Sequence, residues 1–193
     1  MRGQKYMRLS AAAAAGLALA MLAGPASADE GFRLTQTCAG CHGTNGASPG
    51  DTIPIIGGQS AEFLAEALRD YKSGNRGYYV MKIIAAGYDD DQIDAIATWL
   101  SEQEWVSSDT AYDADLAAAG ATIAKEVCDA CHGRGGVGSD NGPRMAGQAA
   151  AYLANSGLAY KTGERNHPIA LVAVGDIDDA DIIAAAHYYA SQR

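Results

Sequence analysis

Apolar residues recur at helical spacing along most of this chain. In residues 60–71 they fall at positions i, i+1, i+4, i+5 and i+8, which places Phe63, Leu64 and Tyr71 on one face of a helix. Residues 149–160 form the matching segment of the second half. No segment alternates apolar and polar residues for long enough to predict a strand, so the pattern predicts an all-α fold.

Other helices flank this middle helix in each half. The first is predicted over 31–38 in one half and 113–128 in the other. The last helix of each half opens with acidic residues, at 89–91 and 178–181. Acidic side chains at a helix start cap backbone N–H groups and interact favourably with the helix macrodipole, which is our interpretation of both clusters. Docking of a partner is the alternative.

The second half of the chain repeats the first. The Gly-Gly-Gln sequence at 57–59 corresponds to Ala-Gly-Gln at 146–148, at an offset of 89 residues. At the same offset, Tyr-Lys-Ser-Gly-Asn-Arg at 71–76 corresponds to Tyr-Lys-Thr-Gly-Glu-Arg at 160–165. Internal repetition of this kind indicates two tandem copies of one structural unit.

We predict domains at 29–105 and 112–193, joined by a polar linker at 106–111. Residues 1–28 have the pattern of a signal peptide, with a basic start, an apolar run and an Ala-Ser-Ala cleavage site. The apolar run is shorter than the roughly 20 residues that span a bilayer. We therefore expect cleavage after Ala28, export to the periplasm and no membrane span in the mature chain; an uncleaved anchor is the alternative.

The pattern Cys-x-x-Cys-His occurs twice, at 38–42 and 128–132, and uses all four cysteines of the chain. This spacing is the attachment signature of c-type haem. Two thiols on one helical turn form thioethers with the two haem vinyl groups, and the adjacent histidine supplies the fifth iron ligand. The sequence therefore predicts two covalently bound haem c groups, held by Cys38, Cys41 and His42 and by Cys128, Cys131 and His132.

Two other kinds of site use paired cysteines. A redox disulfide needs no histidine after its second cysteine. A zinc site needs four ligands at finger-like spacing, whereas these two cysteine pairs lie 90 residues apart. Both alternatives explain the repeated histidine less well than haem does.

The mature chain is strongly acidic. Without residues 1–28 it carries 11 basic and 23 acidic residues, a net charge of −12. This balance disfavours binding to nucleic acid or to an anionic membrane surface, and it suits a basic patch on a periplasmic redox protein. Arg76 and Arg165 occupy matching positions and are candidates for pairing with haem propionates; solvated surface charge is the alternative.

The mature chain offers few further iron ligands. Met81 lies 39 residues after His42 and beyond the middle helix, in a segment that we expect to be a loop. The chain can return there to the opposite face of the first haem, so we predict Met81 as its sixth ligand, with core packing as the alternative. Ligation by methionine and histidine raises the reduction potential of the iron.

The repeat breaks at the second haem. At the offset of 89, Met81 corresponds to Ala170, which has no ligand atom. His167 lies three residues earlier and is our predicted sixth ligand. Met145, which we expect on the proximal side, and an open or weakly ligated iron are the alternatives, while His187 is expected to be packed or at the surface. Ligation by two histidines gives the second haem a lower potential than the first.

These features resemble the periplasmic dihaem cytochromes of the class I type, and most closely the cytochrome subunit of flavocytochrome c sulfide dehydrogenase. The resemblance rests on the sequence Cys-Ala-Gly-Cys-His-Gly-Thr at 38–44, on the segment 81–88 and on the Tyr-Ala-Ser-Gln ending at 189–192. It implies two tandem class I cytochrome c domains, each wrapped around one haem, and a flavoprotein subunit as electron donor. Methionine is the usual sixth ligand of both haems in that family, and Ala170 departs from this.

We therefore expect an electron-transfer protein that is not itself an enzyme. The most concrete version is the haem subunit that accepts electrons from a sulfide-oxidising flavoprotein. A free dihaem electron carrier is the second possibility. The third is a haem enzyme with an open or unusually ligated second haem, of thiosulfate-oxidising or peroxidase-like activity.

Overall fold

The computed structural model describes residues 26–193, which form helices joined by irregular loops. The only β-type pairs in this range are two isolated bridges, Arg76 with Arg165 and Ser139 with Gly142, so the all-α prediction is confirmed. Most of the predicted signal peptide, residues 1–25, lies outside the described residues. From residue 26 onward, no helix is long and apolar enough to cross a bilayer.

Each half of the described chain contributes five helices. Those of the first half are α1 (Ala26–Thr35), α2 (Ala39–His42), α3 (Ala61–Ser73), α4 (Tyr79–Ala86) and α5 (Asp90–Ser101). Those of the second are α6 (Ala114–Ile123), α7 (Asp129–His132), α8 (Ala150–Thr162), α9 (Pro168–Val174) and α10 (Asp179–Ser191). A π-helical turn, Ala124–Cys128, joins α6 to α7.

The segment that contains Met81 is helical, whereas we expected a loop. Helix α4 is almost entirely apolar and contains neither glycine nor proline, so nothing in its sequence interrupts a short helix. Its counterpart α9 begins with Pro168 at the first helical position, where proline lacks only an N–H that would be unpaired anyway. Both helices are too short to show a clear apolar stripe, so the hydrophobic pattern of the sequence did not predict them.

Capping side chains define the helix boundaries in the first domain. The hydroxyl of Ser60 accepts a hydrogen bond from the first turn of α3, and the helix ends at Gly74 with a left-handed φ of +92°. Asp89 and Gln92 form a capping box at the start of α5. The capping interpretation of the acidic residues is therefore confirmed for Asp89, while Asp178 precedes α10 without a side-chain cap.

In each domain the first helix crosses the last, and a glycine lies at the crossing. A β-carbon at Gly31 would lie 2.6 Å from the carbonyl oxygen of Ala95, and one at Gly120 would lie 2.2 Å from that of Ala184. The first domain buries a cluster of aliphatic side chains: Leu64, Ala65, Ile93, Ile96, Ala97 and Leu100. The cluster of the second is smaller and centres on Tyr189.

The two domains meet through a reciprocal pair of buried glutamines. Gln59 of the first domain bonds both backbone groups of Arg144, with Nε2 donating at 2.9 Å and Oε1 accepting at 3.0 Å. Gln148 bonds both backbone groups of Ile55 at 2.9 and 3.0 Å. Gln59 and Gln148 lie 89 residues apart, and so do Ile55 and Arg144. Equivalent surface patches of the two domains therefore contact each other, as they do in a twofold-symmetric dimer.

The π-helical turn accounts for the change of offset within the repeat. Gly31 and Gly120 lie 89 residues apart, as do Pro54 and Pro143, whereas the haem motifs between them lie 90 apart. In the π turn the backbone N–H of Asp129 donates to the carbonyl of Ala124, five residues earlier. The second domain therefore gains one residue just before its haem motif and loses one just after it.

We predict that Gly120→Ala destabilises the second domain by about 1–3 kcal/mol, because the new β-carbon overlaps the backbone of α10. Denaturant unfolding of the haem-loaded protein measures the change. Gly40→Ala is the control, since no atom of residues 26–193 outside the neighbouring backbone lies within 4 Å of a β-carbon there. Equal stability of the two variants would contradict the close crossing.

Candidate functional site

The first haem motif forms a single helical turn. Cys38 precedes α2, and its carbonyl accepts hydrogen bonds from the backbone N–H of Cys41 at 3.1 Å and of His42 at 2.9 Å. This turn brings both thiols and the imidazole to one side of the chain. The second motif has the same arrangement, with α7 following Cys128.

A proline carbonyl orients each motif histidine. Nδ1 of His42 lies 2.8 Å from the carbonyl oxygen of Pro54, and Nδ1 of His132 lies 2.8 Å from that of Pro143. A carbonyl oxygen only accepts, so Nδ1 carries the proton and Nε2 keeps a free lone pair. A hydrogen bond of this kind behind a metal ligand fixes both its tautomer and its ring orientation.

The protonation states of the motif fit covalent haem. Burial lowers the pKa of His42 and of His132, against the opposing effect of the proline carbonyls, so both imidazoles are neutral and able to bind a metal. Burial also raises the pKa of the Cys38 and Cys128 thiols. These cysteines therefore lack the low pKa of a reactive redox thiolate.

The two alternative cysteine sites find no support in the geometry. All four cysteines are unpaired. Between residues 26 and 193, no group of three or more His, Cys, Asp or Glu side chains converges as zinc ligands do. Each cysteine pair instead has one oriented histidine beside it, which is the ligand set of a covalent haem.

The second motif has a support that the first lacks. The hydroxyl of Tyr189, which is 1% exposed, lies 2.9 Å from the carbonyl oxygen of Ala124 and 2.8 Å from Oδ1 of Asp129. These contacts connect both ends of the π turn to α10. In the first domain Leu100 corresponds to Tyr189 and Ala39 to Asp129, and neither has a side chain that could form these bonds. The Cys-x-x-Cys-His motifs alone therefore did not predict this support.

Met81 and Ala170 occupy the same place in their helices. Met81 is the third residue of α4, and its side chain is half-buried. Ala170 is the third residue of α9. The correspondence inferred from the sequence offset therefore holds in three dimensions, and the second domain has a methyl group where the first has a thioether.

His167 is the residue that precedes α9. Its Nδ1 accepts a hydrogen bond from the backbone N–H of Ala170 at 3.3 Å. Its Nε2 lies 3.9 Å from Oε1 of Glu66, on α3 of the first domain, and its ring meets Tyr160 edge to face. The structure thus brings His167 to the start of α9, with its ring directed toward the domain interface.

The other two candidate ligands of the second domain have different roles. Met145 packs against the cluster around Tyr189. It follows by two residues Pro143, whose carbonyl orients His132. Nδ1 of His187 accepts a hydrogen bond from the backbone N–H of Asp113 at 2.9 Å. His187 therefore holds the start of α6, as a packed histidine.

Each domain leaves one apolar helix face uncovered. Helix α4 packs mainly on α3, and α9 mainly on α8. Tyr79 and Val80 of α4 are 79% and 58% exposed, and Ile169 and Val172 of α9 are 68% and 81% exposed. Apolar surface of this kind normally contacts a ligand or a partner. With the oriented histidines, these faces fit a porphyrin in each domain.

Arg76 is buried at the contact between the two domains. It is 7% exposed, so its interpretation as a solvated charge is wrong. Its guanidinium donates to the hydroxyl of Tyr152 at 2.9 Å and lies 4.5 Å from the ring centre of Tyr71. Arg76 and Arg165 outweigh the effect of burial and lower the pKa of Tyr152. No carboxylate of the described chain forms an ion pair with Arg76.

Comparison with known proteins identifies the domain type. The model of the family "Cytochrome c" matches residues 28–104 and 117–191. A "Thiosulfate dehydrogenase electron acceptor" of Thiomonas intermedia is 31% identical over 188 residues, covering 88% of this chain and 85% of that protein. "Cytochrome c4" of Pseudomonas aeruginosa is 28% identical over 184 residues, covering 88% of this chain and 90% of that protein.

The solved structures agree with this comparison. Reduced cytochrome c4 from Pseudomonas stutzeri superposes with a TM-score of 0.77 at 26% identity, covering 86% of this chain and 98% of that one. The expected likeness to a sulfide dehydrogenase subunit is only partial. The "Cytochrome subunit of sulfide dehydrogenase" of Chlorobaculum tepidum is 43% identical over 75 residues, which is 39% of this chain and 67% of that one.

We predict that Tyr189→Phe lowers the unfolding free energy of the second domain by about 1–3 kcal/mol, because the carbonyl of Ala124 and the carboxylate of Asp129 lose their buried hydroxyl partner. Tyr188→Phe is the matched control. Its ring lies 5.2 Å from that of Tyr189, and its hydroxyl makes no hydrogen bond to the described residues. Denaturant titration of the haem-loaded variants compares them, and equal losses would contradict a role for the hydroxyl.

Proposed function

This chain belongs to the cytochrome c family, as two tandem domains with one covalent haem c each, and on that basis we propose that it is a dihaem electron carrier of the periplasm. The observation that carries the proposal is the repeated turn in which two cysteines precede a histidine held by a proline carbonyl. The match to cytochrome c4, which covers 88% of this chain and 90% of that protein, supports the role of an electron carrier.

When bound, each haem supplies an iron that gains and loses one electron. The chain contributes the attachment points, the axial ligands and the surroundings. We assign His42 and His132 as proximal ligands, each presented through Nε2 by the hydrogen bond at Nδ1. The carbonyl acceptors also increase the basicity of the imidazoles, which stabilises the oxidised iron.

Met81 is our proposed sixth ligand of the first haem. It lies in the first turn of a helix that leaves its apolar face uncovered, and its side chain is half-buried. A thioether ligand favours the reduced iron, so it raises the potential of the first haem. That property suits a protein that accepts electrons from an oxidising enzyme.

His167 is our proposed sixth ligand of the second haem. Its present contacts compete with this role. Because Nδ1 accepts from Ala170, the ring proton is on Nε2, beside Glu66. To hold an iron through Nε2, His167 would have to carry its ring proton on Nδ1, and it would then lose the cap on Ala170. In that role His167 would give up its hydrogen bond to Ala170 and its 3.9 Å contact with Glu66.

Arg76 and Arg165 are our proposed partners for the haem propionates. Arg76 is buried without a carboxylate partner in the described chain, and Arg165 stacks 4.3 Å from the ring centre of Tyr160. A buried cation is costly unless a negative charge accompanies it. Propionates are the negative groups that a haem protein brings to its own interior.

We propose an enzyme that oxidises thiosulfate as the electron donor. The relative in Thiomonas intermedia is named as the electron acceptor of thiosulfate dehydrogenase, and it aligns over most of this chain. A sulfide-oxidising flavoprotein is the second candidate donor, favoured by the 43% identity to a sulfide dehydrogenase cytochrome subunit over 75 residues. In both versions this chain carries electrons and the partner performs the chemistry.

The division of roles is testable with purified protein. We expect the oxidised protein to stay oxidised when thiosulfate is added alone, and to be reduced when thiosulfate dehydrogenase is added as well. The haem absorption spectrum follows the reaction. Reduction by thiosulfate alone, with turnover in the presence of an oxidant, would instead identify an enzyme with an accessible second haem.

We predict that Met81→Ala lowers the potential of the first haem by on the order of 0.1 V, because the thioether that favours reduced iron is removed. The vacated position should also bind carbon monoxide. A redox titration and a carbon monoxide difference spectrum measure the two effects. The control is Met145→Ala, which removes the other methionine of residues 29–193 without changing either ligand set.

We predict that His167→Ala makes the second haem, and not the first, accessible to carbon monoxide in the reduced state. The variant removes the proposed sixth ligand and leaves no ligand atom at 167 or 170. His187→Ala, which removes only the cap on Asp113, is the matched control. If the wild type already binds carbon monoxide at one haem and His167→Ala changes nothing, the second iron is open and His167 is not its ligand.

A further inference from the structure

A cleft of about 1010 Å³ on the second domain concentrates positive charge on an otherwise acidic protein. Four of the 11 basic residues in positions 29–193 line it, and one acidic side chain does. The four are Lys125, Arg134, Arg144 and Arg193.

The four cations of this basic cleft are not neutralised within the described chain. None of them forms an ion pair with a carboxylate there. Three are held by aromatic rings instead: Lys125 lies 5.7 Å from the ring centre of Tyr188, Arg144 lies 4.9 Å from that of Trp105, and Arg193 lies 5.6 Å from that of Tyr112. A cation–π contact positions a cation without cancelling its charge.

The one acidic side chain in the lining is already occupied. Oδ1 of Asp129 faces the hydroxyl of Tyr189 at 2.8 Å, and Oδ2 accepts a hydrogen bond from the backbone N–H of Gly135 at 3.1 Å. Asp129 therefore supports the π turn and does not pair with the cations around it. The basic cleft keeps a net positive potential.

The basic cleft is specific to the second domain. At the repeat offsets, Arg134 corresponds to Thr44, Arg144 to Ile55 and Arg193 to Glu104. The first domain thus has no cation at these positions, so the charge is not a requirement of the fold.

The basic cleft is separate from the haem site but close to it. Its lining includes Asp129 and Ala130, the two residues between the cysteines of the second motif. It includes neither His132 nor any residue of α8 or α9, which form the haem side of the domain. A molecule bound in the basic cleft would therefore lie behind the attachment turn of the second haem without contacting its iron ligands.

We propose that this basic cleft docks a carboxylate-rich segment of a protein redox partner. The proposal rests on the electron-carrier function proposed above. The net charge of −12 repels an acidic partner from most of the protein, so such a partner is oriented toward this group of four cations. Lys125, Arg134 and Arg193 are exposed and come from separate segments around a wide cleft, which suits several spaced carboxylates better than one small anion.

The test is a binding titration of the haem-loaded protein with a fluorescent octaglutamate peptide at low ionic strength. We expect saturable binding that weakens with salt, and an approximately tenfold loss of affinity in the double variant Lys125→Gln, Arg134→Gln. The control is Lys72→Gln, Lys82→Gln, which removes the same charge from the first domain and should change affinity by less than about threefold. Unchanged haem spectra and unfolding midpoints establish that the variants are folded.

Three outcomes overturn the proposal: no binding of the peptide by the wild type, an equal loss in both double variants, or displacement of the peptide by thiosulfate or sulfate beyond the effect of chloride at equal ionic strength. The third would identify a small-oxoanion site. Because the titration involves no electron transfer, it can fail while the carrier function stands. A failure of the carrier function appears instead as activity of the protein alone on thiosulfate.

Discussion

The hydrogen bond from each motif histidine to a proline carbonyl is the interaction on which the rest of the structure depends. It keeps the proton on Nδ1 and leaves Nε2 for iron. The glycine-rich loop between His42 and Pro54 returns that carbonyl to the ring. The next residue, Ile55, bonds Gln148 of the second domain through both of its backbone groups. Haem ligation and domain pairing therefore share one short stretch of backbone in each domain.

The two domains are copies with different departures from the common pattern. The second has a methyl group in place of the Met81 thioether, a π turn before its haem motif, a buried tyrosine that supports that turn, and a basic cleft behind it. An enlarged turn with its own support, Ala170 in the place of Met81 and a reversed local charge distinguish the second haem motif and its surroundings from the first, although the helices around both are the same.

The sequence predicted what depends on spacing and repetition. The all-α fold, the two haem motifs, the correspondence of Met81 with Ala170 and the cap at Asp89 follow from local rules that the chain obeys. Helices α4 and α9 were missed because they are too short for periodicity to show. The burial of Arg76, the roles of Gln59 and Gln148 and the bonds of Tyr189 depend on contacts between residues 60 or more positions apart, which no local pattern encodes. The change of offset was visible in the sequence, but only the geometry explained it as a π turn.

We propose that the two domains are copies of one haem-binding unit whose irons differ in ligation and potential. A potentiometric titration of the wild-type protein, followed by its visible and EPR spectra, tests this most directly. We expect two separate one-electron steps, the one at higher potential from a haem with histidine and methionine ligands and the one at lower potential from a haem without methionine. Two identical steps with methionine ligation at both irons would contradict it.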